Sequence, residues 1–286
     1  MRTGRTRWLT LAAGASVALL VAGVAVLQRR TRQFDATIRR HVDALLADAE
    51  TPAAGDADLA ALPAPVRRYV ETVLPADQPP VRTVRLTQRG EFRLGGPDAD
   101  WKPLTATQHV SVDPPGFVWD AEIALAPVLP ARVLDAYRDG EGLLRARLRG
   151  AIPVASAGPD PAMNEGELVR YLAEAVWYPT ALLPAAGVEW EPVDDESARA
   201  TLSDGDVTAS VVFQFAGDGT VERVTAERYR QEDDSYATWV GRFDAYERSN
   251  GMLVPTAAEV AWDLPDGELP YWRATVADVQ HTTATD

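Results

Sequence analysis

From Leu62 onward apolar and polar residues alternate with a period of two, the pattern of strands that bury one face. Val84, Leu86, Gln88, Phe92 and Leu94 make one mainly apolar face, with Thr83, Arg85, Thr87, Arg89, Glu91 and Arg93 on the other. Leu144, Ala146 and Leu148 repeat the pattern against three arginines, as do Val207 to Phe215 and Ala237 to Ala245. Asp139-Gly140, Asp204-Gly205, Asp218-Gly219, Asn250-Gly251 and Asp266-Gly267 punctuate these runs. Such pairs tolerate the positive φ angles that tight hairpins need, so the strands are predicted to form an antiparallel meander.

Two stretches switch to helical spacing. Val66, Tyr69, Val70, Val73 and Leu74 follow Pro63 and Pro65, and a second helix is predicted to start at Asn164, with Glu167 three residues on as in a capping box. In that second helix Leu168, Tyr171, Leu172 and Ala175 form the apolar face, Glu167, Arg170 and Glu174 form a charged ladder, and Pro179 stops it. A large sheet with one apolar face must cover it, and these helices are the covers available. The expected fold is mainly β (α+β): a large curved antiparallel sheet or half-barrel over residues 62–286, covered by short helices.

The amino terminus reads differently. Trp8 to Leu27 is twenty uncharged residues with only Thr10 and Ser16 polar, enough helix to cross about 30 Å of hydrocarbon. It runs straight into Arg29 and Arg30 without a small-residue cleavage site, which favours an uncleaved anchor over a secretory signal. Residues 1–28 are therefore assigned to a tail and transmembrane anchor whose partner is the lipid bilayer, and residues 29–61 to a juxtamembrane helix and linker. Arginine counts on the two flanks point to an inward-facing domain. A short basic tail before an apolar helix is also how a signal-anchor begins, which puts the globular part outside the cytoplasm, the location expected here.

Composition narrows the chemistry. The 286 residues carry a formal charge of −14, and residues 41–286 hold 20 basic against 41 acidic groups, a surface that repels nucleic-acid phosphates. Zero cysteines exclude disulfides, thiolate catalysis and cysteine-ligated metals. His41, His109 and His281 are scattered without metal-ligand spacing, and the acidic runs Asp194-Asp195-Glu196 and Glu232-Asp233-Asp234 lack a calcium-loop pattern, so no metal and no cofactor are expected. Glu174 stands among apolar Ala173, Ala175, Val176 and Trp177 and would need a partner if buried; Arg228, Arg230 and Arg273 are the candidate mates. Eight tryptophans either fill the core or line a groove for acyl chains.

The stretch GELVRYLAEAVWYPTALLP (166–184), with Arg228-Tyr229-Arg230, Trp239-Val240-Gly241, Glu259-Val260-Ala261-Trp262 and Tyr271-Trp272-Arg273, resembles an uncharacterised prokaryotic family of unknown function, often membrane-anchored. The resemblance covers most of residues 62–281. The strand-rich plan also looks like the half-barrel of lipoprotein carriers such as LolA and LppX, in which a curved sheet closed by helices holds lipid chains. That likeness implies a hydrophobic or lipidic ligand, with Phe213, Phe215, Trp239, Phe243 and Trp262 lining the concavity and Glu174 and Arg228 near its polar end. Two other readings stay open: a hydrolase using Glu174 with a second carboxylate, and a membrane-tethered scaffold or sensor domain.

Overall fold

A computed structural model describes residues 3–52 and 59–283, with side chains described from residue 22 onward in its first helix. That helix, α1 (Thr3–Asp48), is followed by α2 (Ala64–Val73) and then by β1 (Val81–Arg93), β2 (Trp101–Ser111), β3 (Gly116–Ala126), β4 (Leu129–Arg138), β5 (Glu141–Leu148) and β6 (Ile152–Ala157). Helix α3 (Pro161–Glu174) and three 3₁₀ turns lead to β7 (Glu189–Pro192), β8 (Ser197–Asp204), β9 (Val207–Phe215), β10 (Val221–Arg230), β11 (Ser235–Ser249), β12 (Met252–Leu264) and β13 (Gly267–Thr283). All thirteen strands join one antiparallel sheet in the order β6-β5-β4-β3-β2-β1-β13-β12-β11-β10-β9-β8-β7. The predicted meander is present, and each of the five turn pairs supplies a positive-φ glycine.

The sheet is two meanders joined by the first and last strands. β1 pairs with β13 from Val81↔Thr283 to Phe92↔Trp272, leaving β6 and β7 as the open edges of a curved half-barrel. The chain crosses from one edge to the other through α3 and the 3₁₀ turns, which fill the concave side. α3 packs on β9 and β10 of one arm and on β5, β4 and β3 of the other. Leu168, Tyr171, Leu172, Trp177 and Tyr178 are at most 2% exposed there. The predicted cover is thus also the core.

Two local expectations, both about α3, are corrected. α3 begins at Pro161, capped by Asp160, whose carboxylate accepts from the Met163 amide at 3.0 Å; Asn164 instead accepts from the Gly142 amide at 2.8 Å, tying the helix to the β4–β5 turn. It gives way to 3₁₀ turns at Ala175, before Pro179. The expected juxtamembrane part of α1 packs on the sheet. Phe34, Ile38 and Leu45 are buried against Val118, Leu134 and Ala136 on the outer face of β3 and β4. That is why the β4 segment Val133–Tyr137 is buried on both faces, one against α1 and one against α3.

α1 runs alongside β4 in the same direction. Its Thr31 hydroxyl donates to the Arg149 carbonyl at 2.8 Å, the Arg147 guanidinium lies over the Phe34 ring, Asp35 faces Arg132 at 3.5 Å and Asp48 faces Arg138 at 3.5 Å. Among the described residues no helix is long and apolar enough to cross a membrane. The side chains of most of the run Trp8–Leu27 lie outside the description, as does Gly55 of the expected linker.

Candidate functional site

Two places in the fold gather chemistry: a polar network inside the half-barrel and an apolar cleft at the root of α1. The network hangs on α3. Residues 167, 170 and 174 share one side of a helix by their three- and four-residue spacing. That side faces inward-pointing positions of β1, β2, β4 and β10. Arg170 donates to Glu174 at 2.8 Å and to Asp135 at 2.6 Å, and its guanidinium stacks over Phe117 and Trp119. The other Glu174 oxygen accepts from Gln108 at 2.6 Å; Gln88 then donates to Gln108, and the Trp119 indole donates to Gln88 at 2.7 Å. Arg228 donates to Glu167 at 2.7 Å.

Three carboxylates therefore share two guanidinium groups in a buried space, and Asp135 bears the imbalance. Burial first, then the neighbouring Glu167, push its carboxyl up to about 8, only partly opposed by Arg170 and Arg228. Burial alone lowers the pKa of Arg170, but Glu174, Asp135 and Glu167 outweigh it and hold the guanidinium charged. One oxygen each of Asp135 and Glu167 is buried without a partner.

Glu174 and Arg228 are both in this network, but not as mates. Glu174 pairs with Arg170 on its own helix, Arg230 with Asp233, and Arg273 with Glu91. Arg170 lies between Glu174 and Asp135, and both Glu174 oxygens are engaged, so these two carboxylates do not confront one another across open space.

The expected lining rings face the concave side and pack there. Phe213 and Phe215 stack on each other at 6.5 Å, with Trp190 at 5.3 Å from Phe213. Phe243 meets the edge of Trp177 at 5.9 Å; Trp239 donates to the Tyr271 hydroxyl at 2.8 Å, and Trp262 stacks on Tyr271. Phe213, Phe215, Trp239 and Phe243 are buried and Trp262 half-buried, and the space between the arms is taken by α3 and the 3₁₀ turns. A ligand among these rings would have to displace that segment.

Sequence reasoning missed Asp135 and Gln108, and had Arg170 only as one rung of a charged helix face. The available signal was a polar residue at an inward position of an otherwise apolar face: Gln88 after Val84 and Leu86, and Asp135 between Val133 and Tyr137.

The second place is a cleft of about 540 Å³ between α1 and the ends of β4, β5 and β6. Val24, Leu27, Leu129, Leu148, Ala151 and Ile152 give it apolar walls, and Arg32 and Arg149 contribute charge to its lining. The turn that shapes it is held to α1 by the Thr31–Arg149 bond. Sequence reasoning had no route to it, because it lies between segments about a hundred residues apart.

Residues 60–281 match the model of DUF6920, a family of unknown function. No curated protein matches the sequence. Among solved structures the chain is similar to a LolA superfamily protein from Nitrosomonas europaea, at 11% identity and a TM-score of 0.39, over 76% of this chain and 91% of that one. It is also similar to a beta-barrel-like protein of the DUF1849 domain from Brucella abortus, at 12% identity and a TM-score of 0.23, over 71% and 99%.

Proposed function

The chain belongs to DUF6920, a family that supplies no activity to start from, and on the geometry above we propose that it is a membrane-anchored half-barrel that binds a hydrophobic or lipidic ligand. The apolar cleft at the root of α1 carries this reading. Its volume of about 540 Å³ falls within the roughly 300–1,000 Å³ typical of small-ligand sites, most of its lining is aliphatic, and two cations, Arg32 and Arg149, share that lining. An amphiphile with one acidic or phosphate head and a hydrocarbon tail satisfies both features. Residues 8–27 form the anchor, with the half-barrel outside the cytoplasm.

The cleft is favoured over the aromatic interior on energetic grounds. Opening the interior would expose Trp177, Tyr178 and Leu172 and separate Arg170 and Arg228 from their carboxylates, several kcal/mol for each buried pair alone. Entering the cleft requires no such rearrangement.

Leu148→Trp, which puts an indole into the cleft, tests the proposal. Full-length protein taken from membranes in mild detergent is expected to retain a hydrophobic ligand through washing, detected by mass spectrometry, and the variant to retain at least tenfold less. Equal retention by both, or none by the wild type, contradicts it.

A further inference from the structure

The cleft is lined by α1 where its uncharged run ends. Val24 and Leu27 share its lining with Leu129 of the β3–β4 turn and Ile152 of the β5–β6 turn, and Thr31 is bonded to Arg149 in the latter. Both hairpin turns therefore flank α1 at residues 24–31. Because α1 then follows β4 up to Asp48 and Arg138, the orientation of the domain is tied to that of the helix. A bilayer crossed by residues 8–27 would meet these two turns first.

Side chains at this level are unusually apolar for a surface. Of the ten large hydrophobic residues exposed among the described ones, seven are here: Val24, Val26 and Leu27 on α1, Val128 and Leu129 at one turn, and Ile152 and Val154 from the other turn into edge strand β6. Val128 stands out. It is 83% exposed, and its φ of 59° is left-handed, a conformation that a β-branched residue adopts only under strain and that glycine or asparagine would adopt freely. Around this apolar group sit Arg29, Arg30, Arg32 and Arg149, exposed and positive in a protein of formal charge −14. Apolar tips surrounded by cations are complementary to a phospholipid surface, hydrocarbon below and phosphate at its edge.

We infer that these two turns seat the half-barrel on an anionic bilayer, with Val128 and Leu129 entering the hydrocarbon and the arginines at the phosphates. This rests on the anchor and cleft reading above, and deepens it: the cleft mouth then opens into the bilayer, so a tail enters sideways from the membrane.

The absence of cysteine makes the test clean. Full-length Val128→Cys and Asp206→Cys, each bearing a nitrobenzoxadiazole label, are placed one chain per nanodisc of phosphatidylcholine with or without phosphatidylglycerol. Position 206 is the control, because its turn is bound through Asp204 to Gly140, the far end of β4 and about 30 Å from Leu129. Lipids carrying a shallow nitroxide are expected to quench position 128 at least threefold more than position 206, and more strongly with phosphatidylglycerol. Equal quenching at both positions overturns the docking; so does a label at 128 shielded from aqueous iodide but untouched by lipid nitroxide, which means protein covers the turn. Failure of the chain to enter discs overturns the anchor and the docking together. Ligand retention lost on Leu148→Trp while position 128 stays aqueous removes the docking and leaves the cleft reading standing.

Discussion

Asp135 shows how a single side chain couples the core to solution conditions. Its carboxyl is held protonated up to about 8 by burial and by Glu167, whereas in the unfolded chain it titrates near 4. Folding therefore binds a proton between roughly pH 4 and 8. The stability linked to this residue is fully present below pH 4 and is lost as pH rises through 8. Wild type and Asp135→Asn compared by thermal denaturation across pH 5–9 should converge at low pH and diverge at high pH, the wild type falling more steeply; parallel curves would contradict this. Arg170 is the other sensitive position. Arg170→Ala leaves Asp135 and Glu174 without their shared cation and should cost about 3–5 kcal/mol by chemical denaturation, whereas replacing all three with Met or Leu should cost far less. A mild single variant would mean that the network is open to water.

Among the elements, the link from α3 through the 3₁₀ turns departs most from its reading in the sequence. Its periodicity was legible, but an amphipathic pattern signals one buried face, whereas this helix is enclosed by both arms and buries its charged ladder too. Only the partners on β2, β4 and β10 account for that, and they lie 35 to 66 residues away in sequence. Its start was misread because Asn164 and Glu167 mimic a capping box, while Asp160 with Pro161 supplies the actual cap and first-turn proline. Trp177 anchors the far end: it donates to the Pro255 carbonyl at 3.0 Å, and its own carbonyl accepts from His281, whose pKa burial lowers. Trp177→Ala should cost about 3–5 kcal/mol. Amides of α3 should exchange with solvent only near the global unfolding rate; early exchange there would mean that the segment leaves the concavity in the native state.

For the molecule as a whole, period-two alternation and turn pairs made the meander readable, because both are local signals. The closure of β1 on β13 was not, since nothing local records a pairing between residues nearly two hundred positions apart. The cleft stayed hidden for the same reason. The aromatic surplus pointed to the concave face, where the rings lie, yet composition cannot tell a lined space from a filled one. The apolar run of α1 and the arginines after it were visible, the two turns beside them were not, and only the docking of α1 along β4 brings all of these to one level. A photoreactive fatty acid crosslinked to the full-length protein in native membranes, with adducts mapped by mass spectrometry, tests the central claim most directly. Adducts should concentrate at residues 24–32, 129 and 148–152; labelling confined to Phe213, Trp239 and Phe243, or no adduct at all, would contradict it.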